Sequence, residues 1–115
     1  MLLVLPATGE NCDPTYAKVD EALELLTKSK SLHILMVLDR SKEPLRFTDI
    51  KTRVDASSTT VSRRVKELED AGLVVHSLHP ALTQSNLYTL SEIGSTLSPV
   101  MQSLFEWAEQ WQRPS

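Results

Sequence analysis

Between Ser57 and Lys66 the chain reads SSTTVSRRVK, four hydroxyl side chains followed by a fifth hydroxyl and three cations. A hydroxyl can donate or accept a hydrogen bond, and a threonine methyl can touch a thymine methyl. A guanidinium presents a rigid fork of donors that matches O6 and N7 of guanine. The chemistry these types can do together is recognition of base edges and phosphates. No carboxylate pair, Ser/His/Asp set or glycine-rich phosphate loop accompanies them, so the sequence does not read as an enzyme.

Helical spacing organises the segment. Val61, Val65 and Leu68 recur at four and three residues, so they form an inward stripe. Thr59, Ser62, Arg63 and Lys66 then lie opposite, with Thr60 at the margin and Ser58 at the N-terminal end. Ser57 or Ser58 caps this helix, which runs to about Ala71, and Gly72 supplies a left-handed stop. The base-reading candidates are Ser58, Thr59, Thr60, Ser62 and Arg63. Lys51, Arg53, Arg64 and Lys66 are the candidates for phosphates, whose contacts fix register without carrying sequence information. The competing reading is plain: the hydroxyls only cap a helix and the cations only solvate it.

The elements around this helix must hold it. Upstream, Leu45 to Phe47 reads as a short edge strand. Thr48 opens a helix with Ile50 and Val54 inward, and Asp55 and Ala56 form the turn. Downstream, Leu73 to Leu78 and Asn86 to Leu90 read as strands joined by a loop. Helix, turn, helix and hairpin in this order make a winged helix-turn-helix, which places one helix in the DNA major groove. The fold class is mainly α with a small β-hairpin.

The net charge of −3 conceals a local excess. Arg46 to Lys66 carries six cations against two carboxylates, while the remainder is acidic. DNA binding depends on such a patch and not on the total. An uneven but ordinary solvated surface is the alternative. With one cysteine, Cys12, no internal disulfide can form, so a reducing compartment is expected. Met1 to Leu5 is too short for a signal or a membrane span, and a cytoplasmic location with no membrane partner is expected.

Residues 1–12 read as an arm and residues 13–115 as one domain. Asp13 and Pro14 open a first helix with Tyr16, Val19, Leu23 and Leu26 on one face. Its stripe is broad, so part of it can face a partner. LHILMVL, ending at Leu38, is apolar all round and is expected to be the central buried helix, with His33 a hydrogen-bonded core or interface residue. Ser91 caps the last helix, on which Ile93, Leu97, Val100, Met101, Leu104, Ala108 and Trp111 mark one face, and Pro99 bends it or marks a junction. Phe105 and Trp107 lie off that stripe. They anchor an interface or pack on the first helix. His33, His76 and His79 with Cys12 have no metal-ligand spacing, so neither a metal nor another cofactor is expected.

CDP at Cys12–Pro14, ALELLT at Ala22–Thr27, RF at Arg46–Phe47, VSRRVKELEDAGLV at Val61–Val74, YTLSEIG at Tyr88–Gly94 and the C-terminal LSPVMQSLFEWAEQW together resemble the HxlR-type branch of the MarR-like winged-helix regulators. The resemblance covers nearly the whole chain from Cys12. It implies a homodimeric transcriptional regulator that binds two half-sites of double-stranded DNA. The dimer would form through the first and last helices, hence through Tyr16, Val19, Leu23, Leu104, Phe105, Trp107, Ala108 and Trp111. It also implies that Cys12 is a candidate redox sensor, although Asp13 opposes a reactive thiolate there, and that a small-molecule effector is possible. Two departures stand out. The family's common Gly-Lys-Trp before the central helix is here Lys28–Ser29–Lys30. The wing from His79 to Leu87 has no Lys or Arg, leaving Gln84, Ser85 and Asn86 for neutral contacts. A winged-helix module that binds an acidic protein surface is the rival function.

Overall fold

A computed structural model describes residues 14–78 and 86–111; Cys12, Asp13, His79, Gln84 and Ser85 lie outside that range. The order is α1 (Pro14–Leu26), α2 (Ser31–Arg40), β1 (Leu45–Arg46), α3 (Phe47–Val54), α4 (Ser58–Asp70), β2 (Val74–Leu78), β3 (Asn86–Leu90), α5 (Glu92–Ser95) and α6 (Ser98–Gln110). Among the described residues the strands form an antiparallel sheet in the order β1-β3-β2. Leu45 lies opposite Tyr88, and Val74 and His76 lie opposite Leu90 and Tyr88. The edge strand expected at Leu45 to Phe47 is present as Leu45–Arg46 and joins the hairpin as its third strand, while Phe47 opens α3 instead.

The core lies where α2, α3 and α4 meet the sheet. Ile34 and Leu35 of α2, Ile50 and Val54 of α3, and Val61 and Leu68 of α4 are fully buried. Val65, Val74, Tyr88, Leu45 and Met101 close around them. Leu32, Met36 and Val37 are partly buried against this cluster, so α2 is the central helix. His33 is a correction to the core alternative, because it lies on the exposed side of α2.

Local chemistry sets the boundaries. The Arg46 amide donates to Asp49 Oδ2 at 3.1 Å, so α3 begins earlier than a Thr48 cap would require. Asp55 (φ 53°) ends α3 in the left-handed region, which asparagine and aspartate tolerate better than most residues. Ser57 caps α4 by accepting from the Thr60 amide at 3.2 Å. Gly72 (φ 83°) ends the descent of α4 into the sheet.

The C-terminal segment is two helices. Ser91 Oγ accepts from the Gly94 amide at 3.0 Å and donates to the Gly72 carbonyl at 2.6 Å, which pins α5 to the root of β2. Pro99 sits in the first turn of α6, where its missing N–H costs nothing, so the junction reading of Pro99 holds. Among the described residues the apolar face marked on this segment is mostly uncovered. Met101 is buried and Leu97 half-buried, whereas Ile93, Val100, Leu104 and Trp111 are exposed.

Candidate nucleic-acid interface

The outward face of α4 is built by opposition. Burial of Val61, Val65 and Leu68 fixes the roll of α4, and the step of about 100° per residue then turns Ser58, Thr59, Ser62, Arg63 and Lys66 outward. These five are exposed and line one shallow open depression on the helix surface. Helix geometry leaves the Ser58 and Thr59 amides without intrahelical acceptors at an exposed N-terminus, an arrangement suited to a phosphate. Thr60 differs from its neighbours. It is half-buried, and its hydroxyl accepts from Ser57 Oγ at 3.1 Å, so it is part of the cap.

The cations divide into two groups that sequence alone does not separate. Among the described residues Arg63, Arg53 and Lys51 have no ion-pair partner, which leaves their charge for an outside anion. Arg53 is exposed on the last turn of α3 and Lys51 half-buried beside it. Lys66 pairs loosely with Asp70 at 3.7 Å, and both side chains remain well exposed. Such a surface pair is worth little and can be exchanged for a phosphate.

Arg64 is a correction. Its side chain is only 14% exposed. Its Nε donates to the Ser29 carbonyl at 2.9 Å, and Nη1 meets Glu67 Oε1 at 3.0 Å. It lies on the flank of α4 away from Thr59, Ser62 and Lys66, and these donors are committed within the chain. A second contact invisible to helical periodicity holds the other flank: His76 Nδ1 of β2 meets the Glu69 carboxylate, and the His76 ring lies 5.6 Å from that of Tyr88. Burial, aided by the nearby Glu69 charge, pushes the Tyr88 hydroxyl pKa up, while a hydrogen bond with Asn86 acts the other way.

The interface candidates on α1 and α6 are mostly uncovered. Tyr16, Val19 and Leu23 are exposed, Tyr16 at 66%, and α1 has no buried residue. Leu104, Trp107, Ala108 and Trp111 are exposed too, with Trp107 and Trp111 stacked at 5.1 Å. Phe105 is half-buried beneath the Arg40 guanidinium of α2, 4.7 Å from its ring centroid. Among the described residues no group of His, Cys, Asp and Glu is placed to hold a metal, and no helix is long and apolar enough to cross a membrane.

A helix pair followed by a hairpin, with a cationic hydroxyl-rich face turned out from the second helix, defines the winged helix-turn-helix class of DNA-binding proteins. The chain belongs to the HxlR-like helix-turn-helix family, whose model matches residues 25–115, and members of that family are transcriptional regulators rather than enzymes. The HTH-type transcriptional regulator YodB of Bacillus subtilis is 32% identical over 84% of this chain and 86% of its own. Its reduced form superposes with a TM-score of 0.73 at 32% identity, covering 90% of this chain and 98% of that one. Its quinone-bound form gives 0.69 at 31% identity, over 83% and 99%. A mutant of S. aureus MepR bound to an oligodeoxyribonucleotide gives 0.65 at 26% identity, over 83% of this chain and 70% of that one.

Proposed function

We propose that this regulator is a sequence-specific DNA-binding homodimer acting at promoter DNA, with α4 in the major groove. The observation that carries the proposal is the outward face of α4. Ser58, Thr59, Ser62 and Arg63 are exposed together, and Arg63 has no ion-pair partner within the described residues. Arg63 reads a guanine by its two donors, and the hydroxyls and Thr59 methyl read neighbouring edges. Lys51, Arg53, Lys66 and the first α4 amides hold phosphates. Gln84 and Ser85 of the wing add neutral contacts. Affinity then rests on fewer phosphates than a basic wing would give.

The homodimer reading is supported by the uncovered apolar faces of α1 and α6. A monomer of one 13–115 domain gains nothing from exposing Tyr16, Val19, Leu23, Leu104, Trp107 and Trp111, and a second copy covers both faces at once. Quinone binding by YodB supports testing a small electrophilic effector here, with Cys12 as its candidate target.

The test is fluorescence anisotropy of duplex from the protein's own upstream region against scrambled duplex, with wild type and Arg63→Ala. Preference of about 10³ for the upstream duplex, lost in the variant, is the expected result. Equal weak binding to both, unchanged by the mutation, would move a protein-interaction role ahead. Cys12→Ser with unaltered DNA affinity and unaltered quinone response would remove the sensing role.

A further inference from the structure

The α1–α2 turn touches the helix-turn-helix at three consecutive residues. Lys30, in the left-handed region at φ 73°, reaches across with Nζ to the carbonyl of Val54, the last residue of α3, at 3.0 Å. The Ser29 carbonyl accepts from Arg64 Nε at 2.9 Å. Lys28 Nζ lies 3.5 Å from Glu67 Oε2, while the other oxygen of Glu67 holds Arg64 at 3.0 Å. The turn thus bonds the end of α3 and the middle of α4, at chain separations of 24 residues for Lys30 and 35 for Ser29.

These bonds sit where motion of α1 would have to pass. No residue of α1 is buried, and only Leu25 and Leu26 at its C-terminal end pack against the core. The same turn is the covalent continuation of that end. On α4, Arg64 and Glu67 lie on one flank and Glu69, held by His76, on the other, so polar contacts grip the reading helix from both sides of its apolar stripe. Displacing the turn would break the contacts on one flank of α4 and leave those on the other.

We infer that the Lys28–Lys30 turn is the joint through which α1 sets the roll of the reading helix. Arg64 is a positioning residue in that joint, acting on its neighbour Arg63 and not on phosphate. The inference rests on the DNA reading of α4 proposed above. It makes the joint a determinant of specificity: what seats α1 decides how the base-reading side chains are presented.

Charge gives a test with opposed signs. Arg64→Ala removes a cation from α4, and Glu67→Gln removes an anion with little change of shape. If Arg64 served phosphate, Arg64→Ala would weaken binding to every duplex and reduce the salt slope by about one per protomer. Glu67→Gln would then tighten binding to every duplex. If both residues serve the joint, each substitution lowers the preference for upstream over scrambled duplex by about threefold to thirtyfold. The double variant loses no more than the worse single variant, and the salt slope stays at the wild-type value.

A readout without DNA accompanies this. Amide hydrogen exchange of the full-length protein should accelerate at Thr27–Lys30 and the last turn of α1 in Glu67→Gln, although the substitution is on α4. Unchanged exchange there, or the phosphate pattern in the salt series, overturns the joint. A wild type without preference for any duplex overturns the DNA reading instead, and the exchange result then judges the joint alone.

Discussion

Gly94 is the position where a single methyl group should do most harm. It lies in α5, where alanine ordinarily favours a helix over glycine by about 0.5–1 kcal/mol. Here a Cβ would stand 2.1 Å from the Leu73 carbonyl oxygen, 3.0 Å from its carbon and 3.2 Å from Ser91 Oγ. Relief requires the carbonyl to retreat by about 1.3 Å or more to regain ordinary contact. That carbonyl accepts from the Ser91 amide at 2.9 Å, so the retreat also strains a bond worth about 1 kcal/mol net. Overpacking costs a further ~1–3 kcal/mol. Gly94→Ala should therefore destabilise by about 2–4 kcal/mol. Gly72 is the control: its φ is 83°, yet nothing lies within 4 Å of a new Cβ, so Gly72→Ala carries only left-handed strain of about 1–2 kcal/mol. Urea unfolding followed by circular dichroism, at one fixed protein concentration, measures both. A Gly94→Ala protein as stable as wild type, or less affected than Gly72→Ala, would refute the reasoning.

Other outcomes are open to direct measurement. Leu23→Glu combined with Trp107→Glu should leave α2–α4 folded and shift the sedimenting species to monomer at micromolar concentration; an unchanged dimer would place the interface elsewhere. Ser31→Ala should be neutral or stabilising by about 1 kcal/mol in a thermal melt, because the Ser31 hydroxyl is fully buried and has no partner among the described residues. Tyr88 should ionise above the ordinary 10.0, read by ultraviolet difference titration of wild type against Tyr88→Phe. Because the unfolded tyrosine releases its proton first, the contribution of Tyr88 to stability is intact below pH 10.0 and falls as pH rises through the folded value. Arg53→Ala should reduce the salt slope of DNA binding by about one per protomer without changing base preference.

Helix α4 was legible because its signals are local. A Ser cap, the Val61–Val65–Leu68 stripe and Gly72 lie within one short stretch, and periodicity alone turns the other face outward. Arg64 was grouped with the phosphate candidates by its charge and not by this rule, and the structure commits it within the chain. Periodicity gives an angle about the helix axis, but Arg64 and Ser29 are 35 residues apart, and only the fold brings them together. The Glu69–His76 contact was hidden for a similar reason, since it depends on how the sheet leans on α4. In the C-terminal segment a regular apolar spacing marked one continuous face. The spacing was real, but the described elements leave most of that face uncovered, so of it Met101 alone is fully enclosed. His33 shows the converse: an apolar sequence neighbourhood does not say which side of the helix a residue occupies.

The bareness of α1 has a consequence for dose. A 13-residue helix with no buried residue is short for autonomous stability in water. Under the proposed homodimer, ordering of that helix and pairing of two chains become one equilibrium, and whatever favours one favours the other. Occupancy of a promoter then rises more steeply than in proportion to the amount of protein, so a modest change in synthesis or turnover would act as a threshold. A regulator built this way would count its own copies before it reads a base.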